Sequence, residues 1–181
     1  KIETRDFPFE IKELSEAGKF SGYGSVFGVL DSYKEIVAQG AFLDSLSAHK
    51  TKGSMPAMLW QHRSGEPVGV YESMDEDSIG LKVSGQLAMK TQRGKEAYEL
   101  MQLKAVTGLS IGFIPREDSY DKATGVTTLK KLDLWEVSIV TFPANDAARI
   151  QGVKTIEEIE DWKSYEENLR DSGYSKRGAL R

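Results

Sequence analysis

The chain reads as a mainly β (α+β) protein, a closed or nearly closed antiparallel β-barrel with a few surrounding helices. Three observations predict this: many short segments alternate apolar with polar residues, glycines mark bends between them, and only two stretches inside that region carry helical spacing. Phe7 to Leu14 alternates Phe7, Phe9 and Ile11 with polar residues, and Ser15-Glu16-Ala17-Gly18 turns it into a second strand, Phe20 to Phe27. Gly22, Gly24 and Gly28 are spaced unlike a dinucleotide-binding fingerprint and no helix follows them, so they read as bends in a curved strand. Gly40 to Lys50 predicts a short helix with Phe42, Leu43 and Leu46 toward the core and His49 solvated at its polar end. Met55 to Gln61 predicts a strand that stops where His62-Arg63-Ser64-Gly65 begins a loop. Val68 to Met74 and Leu81 to Leu87 continue as a meander across the acidic turn Asp75-Glu76-Asp77-Ser78. The second helix spans Thr91 to Lys104, with Thr91 as cap and Ala97, Leu100 and Met101 as its apolar stripe.

That helix delivers the chain into Lys104 to Pro115. As a strand, this segment turns Leu109, Ile111 and Phe113 to one face and Gly108, Ser110 and Gly112 to the other. Ser110 is then the one functional group on a face stripped of bulk. The flanking glycines fit either a bulge or a place where a second backbone, such as a substrate's, comes close. The loop Asp121-Lys122-Ala123-Thr124-Gly125 leads into a strand over Val126 to Thr141, in which Glu136 is surrounded by apolar neighbours. A carboxylate there needs a partner or an outward face. Beyond Gly152 the composition changes. Residues 1–152 read as the barrel domain, and 153–181 as an amphipathic C-terminal helix (Ile156, Ile159, Trp162, Tyr165, Leu169) followed by a short basic tail.

Composition removes several classes of function. A net charge of −4 without a basic cluster argues against a nucleic-acid partner. The absence of cysteine excludes disulfide frameworks, thiol nucleophiles and thiolate metal sites, and is compatible with a cytosolic setting. No apolar run approaches the roughly 18 residues of a membrane span, and Lys1-Ile2-Glu3-Thr4-Arg5 does not look like a signal peptide. With only two histidines, His49 and His62, a histidine-rich metal site is out of reach, and no metal or cofactor is expected.

A barrel would permit three separated residues to meet: Ser110 as nucleophile, His62 as its base and Glu136 as the group that orients the base. A serine hydroxyl is a poor nucleophile at neutral pH unless an imidazole takes its proton. A carboxylate on the other ring nitrogen then fixes the tautomer and stabilises the imidazolium. Sequence spacing permits this set without requiring it.

The ordered segments Gly22-Tyr23-Gly24-Ser25-Val26-Phe27-Gly28, Gly40-Ala41-Phe42, Trp60-Gln61-His62, Gly80-Leu81, Gly108-Leu109-Ser110-Ile111-Gly112-Phe113 and Glu136-Val137-Ser138-Ile139-Val140-Thr141-Phe142-Pro143-Ala144-Asn145 resemble the prohead maturation proteases of tailed bacteriophages. The likeness runs from about Phe20 to Asn145. It implies a β-barrel serine endopeptidase, related in fold to the herpesvirus assembly proteases, that needs no cofactor. Such an enzyme acts inside the assembling prohead in the host cytoplasm, cleaves the scaffolding segment from the major capsid protein, and often cleaves itself. The family's histidine falls on His62 and its serine on Ser110. For the third member a second histidine would have to be His49, in a segment unlike the family's; a carboxylate is the better reading, Glu136 first and Asp133 second. A homodimer or higher homo-oligomer is left open. The rival reading is a catalytically silent capsid-assembly or scaffold-binding module, with a small-molecule esterase on the same residues as a third.

Overall fold

The computed structural model describes residues 3–7, 13–14 and 18–142. In chain order its strands begin with β1 (Glu3–Phe7), β2 (Glu13–Leu14), β3 (Lys19–Val26), β4 (Glu35–Val37) and β5 (Ala57–Trp60). They continue with β6 (Arg63–Glu76), β7 (Gly80–Leu87), β8 (Gly108–Asp121) and β9 (Val126–Val140); α1 (Leu43–Lys52) precedes β5 and α2 (Gln92–Gln102) precedes β8. All these strands join one sheet in the order β1-β8-β9-β5-β6-β7-β3-β2, with β4 attached to β9 off that path.

The mainly β class holds, with two helices among the described residues, but the expected closed or nearly closed antiparallel barrel is corrected in two respects. The sheet curls into a half-barrel whose end strands β1 and β2 do not pair with each other, and β4 and β5 both run parallel to β9. Alternation along a strand reports which face is buried, but closure depends on strand number and stagger, and parallel neighbours come from crossovers that leave no turn signal. The strand expected over Phe7 to Leu14 is also divided. Leu14 pairs with Phe20 in the predicted hairpin, whereas β1 runs antiparallel to β8 with Asp6 opposite Ser110.

Thr91 caps α2, its side chain accepting from the Gly94 N–H at 3.0 Å, and Ala97 and Met101 are buried beneath it. α1 has no side-chain cap of its own. The Glu76 carboxylate serves instead, accepting from the N–H groups of Gly40 at 2.7 Å and Phe42 at 2.6 Å. Of the predicted α1 stripe, Phe42 is buried and Leu46 partly so, but Leu43 is 57% exposed and the buried helical residue is Ser45, which accepts from the Leu134 N–H at 2.9 Å. Nor is His49 a solvated surface group. Its ring nitrogens lie 2.9 Å from the Leu134 carbonyl and 3.1 Å from Ser54 Oγ, tying the end of α1 to β9. Leu109, Ile111 and Phe113 have no exposed surface and belong to one core with Phe20, Phe42, Met58 and Met101. The C-terminal helix and tail expected over 153–181 lie outside the described residues.

Candidate active site

The site is built on β9 and the strands on either side of it. Antiparallel pairing sets Ser110 opposite Ser138 and Gly112 opposite Glu136, and side chains directly opposite share a face. The face that carries Ser110 therefore also carries Ser138 and Glu136. One residue of β9, Trp135, is extra in this ladder: Phe113 pairs with Leu134 and Gly112 with Glu136. The resulting bulge leaves Trp135 half exposed while Leu134 and Glu136 on either side are buried. Bulges re-aim side chains beside functional sites, and this one stands immediately before the carboxylate.

On the other side of β9, β5 pairs Trp60 with Arg63 of β6, leaving only Gln61 and His62 between the strands. The loop expected after His62 is thus a two-residue hairpin turn. Its residues have φ of 51° and 59°, as a type I′ turn requires, although neither is glycine. A left-handed conformation costs roughly 1–2 kcal/mol at each non-glycine residue and persists only where the surroundings enforce it. β9 enforces it. The Gln61 N–H donates to the Ile139 carbonyl at 3.0 Å, its side-chain amide donates to Thr141 Oγ1 at 2.8 Å, and the His62 N–H donates to Ser138 Oγ at 3.1 Å.

The structure brings Ser110, His62 and Glu136 together. Ser110 Oγ lies 2.5 Å from His62 Nε2, and His62 Nδ1 lies 2.5 Å from Glu136 Oε1. The carboxylate accepts a hydrogen bond from the Nδ1–H, which leaves Nε2 as the acceptor for the serine O–H. Glu136 Oε2 accepts from Ser138 Oγ at 2.6 Å, so each oxygen of this buried residue's carboxylate has a donor. Asp133 lies elsewhere: it pairs with Arg116, and both of those side chains are well exposed. His49 is committed to Ser54 and Leu134.

Gly112 turns out to make room for this carboxylate. A Cβ there would come within 2.8 Å of Glu136 Cγ and Cδ and closer still to Oε1, and Gly112 is not among the positive-φ glycines. It is glycine for space, and that space holds the Glu136 side chain; of the two expectations for the flanking glycines, a bulge or a close second backbone, the ladder shows the bulge, between Gly112 and Phe113. Below the site, the buried Tyr71 hydroxyl donates to the Val137 carbonyl at 3.0 Å. Burial first, and the Glu136 charge second, push its pKa well above the usual tyrosine value, so it remains a proton donor. The trio is open mainly at the imidazole: the His62 side chain is 22% exposed, the Glu136 side chain 9%, and Ser110 has no exposed surface.

Two contributors, Gln61 and Ser138, received no role from the sequence. Ser138 had a signal: it stands two residues from Glu136, hence on the same face of a strand. Gln61 had none, because its contribution depends on a turn whose partners lie about 80 residues away in β9.

The sequence pattern of the caudovirus prohead serine proteases matches residues 6–163 of the chain. The prohead protease of Enterobacteria phage HK97 is 37% identical over 166 residues, covering 90% of this chain and 72% of that protein. The prohead protease of Escherichia phage T5 is 25% identical over 116 residues, 61% of this chain and 54% of that protein. A capsid polyprotein of Pseudomonas phage PAJU2 is 36% identical over 107 residues, 55% of this chain but only 16% of the polyprotein. Among solved structures, the bacteriophage T4 capsid assembly protease superposes with a TM-score of 0.60 over 79% of this chain and 97% of that one, at 14% identity, a likeness of fold alone.

Proposed function

The chain belongs to the caudovirus prohead serine proteases, and from that premise we propose that Ser110, His62 and Glu136 are its catalytic residues. It is a serine protease of phage capsid maturation, which sets aside the silent assembly module. The single observation that supports the residue assignment is the continuous chain of short hydrogen bonds from Ser110 Oγ through the imidazole to Glu136 Oε1.

In the reaction this supports, Ser110 Oγ attacks the scissile carbonyl carbon as its proton passes to His62 Nε2. Glu136 stays ionised and stabilises the imidazolium through the Nδ1–H. Collapse of the tetrahedral intermediate breaks the C–N bond, and His62 gives its proton to the departing amine. A water then repeats the sequence on the acyl-enzyme, restoring the Ser110 hydroxyl and releasing the acid. Because Ser110 is covered, a peptide has to displace the groups over the hydroxyl before the first step.

The proposed substrate is a capsid protein bearing its scaffolding segment, cleaved within the assembling prohead, with the enzyme's own chain as a further substrate. This rests on the family and on the capsid polyprotein relative. The test is cleavage of such a capsid protein by purified wild type, Ser110→Ala and His62→Ala. Both variants are expected to keep the fold, by circular dichroism, and to lose cleavage by a factor on the order of 10⁴ or more. Undiminished cleavage by folded Ser110→Ala would remove Ser110 from the mechanism.

A further inference from the structure

We propose that Ser138 is a positioning residue of this site, one hydroxyl that locks the carboxylate and the strained histidine turn together. The inference rests on the reading of Ser110, His62 and Glu136 as the catalytic trio.

Ser138 has no exposed surface, yet its Oγ both donates and accepts a hydrogen bond. It donates to Glu136 Oε2 at 2.6 Å and accepts the His62 backbone N–H at 3.1 Å. These two bonds act on different degrees of freedom of the same pair. A glutamate end group rotates easily about its last torsion, which is broad and nearly two-fold. Held only by the imidazole, Glu136 would be fixed at Oε1 alone. Anchoring Oε2 fixes the carboxylate plane, and so the direction from which Oε1 meets Nδ1. The second bond holds the backbone of His62 at φ 59°, a conformation that needs external support. With that backbone held, the ring is delivered to the same place each time.

The geometry makes the hydroxyl hard to replace. Ser138 stands directly across the ladder from Ser110, so a single register sets both hydroxyls on one face. An alanine would retain the strand and its packing, but would leave a buried carboxylate oxygen and a turn N–H without their partner. The imidazole would then sample orientations in which Nε2 no longer meets Ser110. Misplacement on the order of 1 Å in such an array costs about 10²-fold in rate.

The experiment compares wild type, Ser138→Ala, Glu136→Gln and the double variant on a capsid protein bearing its scaffolding segment, with Ser110→Ala as control. Folded Ser138→Ala is expected to lose roughly 10- to 100-fold in kcat with KM within about 3-fold, because the hydroxyl touches no substrate. In the Glu136→Gln background the same change should cost clearly less than in wild type, since the ionised carboxylate it anchors is already gone and only the bond to the His62 N–H remains to be lost. A residue that merely supports the fold would lower activity by the same factor in both backgrounds, and that result would overturn the proposal. So would a folded Ser138→Ala with kcat within about 2-fold of wild type. Should Ser138→Ala prove unfolded, Ser138→Cys keeps nearly the same volume with a weaker hydrogen-bonding group, and the same loss confined to kcat is expected of it. Retained cleavage by Ser110→Ala sinks the trio itself. A dead Ser110→Ala beside an undiminished Ser138→Ala sinks the positioning role alone.

Discussion

At one end of the β8 and β9 hairpin, Gly108 to Phe113 and Glu136 to Val140 are buried on both faces of the sheet, while at the other end residues 116–121 of β8 are exposed on both. β9 carries a carboxylate on either side of the boundary between them, Glu136 opposite the buried Gly112 and Asp133 opposite the half-buried Ile114. Asp133 pairs with Arg116 where water reaches both groups, so the pair is screened and contributes little. Glu136, three residues on, lies where water is excluded and each of its oxygens has a protein donor. There an ionised group orients an imidazole, because no solvent competes for the bond and the local dielectric is low. Two acidic residues on one strand thus differ in what they can do because the burial of the hairpin gives out between them.

The largest test of that contrast is Glu136→Gln. It keeps the shape but places a neutral amide against His62, and cleavage should fall by about 10³- to 10⁴-fold in steady-state assays of a folded protein. If Asp133→Asn gave the greater loss, the contrast would be inverted and the assignment would move to Asp133. Next comes Gly112→Ala. Its methyl would strike the Glu136 side chain, so a loss of about 1–3 kcal/mol in chemical denaturation is expected, together with a kcat deficit as the carboxylate leaves His62. An alanine variant with wild-type stability and kcat would show that the carboxylate has room to spare.

Tyr71→Phe is expected to cost about 1 kcal/mol through loss of the bond to Val137. It also carries a pH signature. Burial first and the charge of Glu136 second raise the folded-state pKa of Tyr71. The contribution of the protonated phenol is therefore fully present below the unfolded value near 10 and declines as pH rises past it, because the unfolded chain ionises first. Denaturation followed through the alkaline range should show a shallower loss in Tyr71→Phe than in wild type. The smallest effect is expected from Asp133→Asn, which should leave cleavage and melting temperature nearly unmoved.

Much of this arrangement was legible in the residues. The alternation of Leu109, Ile111 and Phe113 with Gly108, Ser110 and Gly112 marked a strand with one apolar face, and those apolar side chains have no exposed surface. Thr91 announced the start of α2, and Asp121 to Gly125 announced the β8 to β9 hairpin, where the Gly125 N–H closes the turn onto the Asp121 carbonyl. The partners of Glu136 were not legible, because a buried carboxylate states only that it needs some. His49 was misjudged for the same reason: its polar sequence neighbours suggested solvent, but its ring meets a β9 carbonyl 85 residues away.

By itself, the sequence determined the local matters: most of the strands and both helices of the described residues, the apolar face of Leu109, Ile111 and Phe113, that a histidine base for a serine nucleophile had to be one of two, and by resemblance the family. These follow from period, composition and turn chemistry within a few residues. Tertiary structure decided that the sheet stays open, that β5 lies parallel to β9, and that the turn of β5 into β6 holds His62 over the face shared by Ser110, Ser138 and Glu136. Those outcomes depend on strand order and register between distant segments, and period and composition within a segment leave both unspecified.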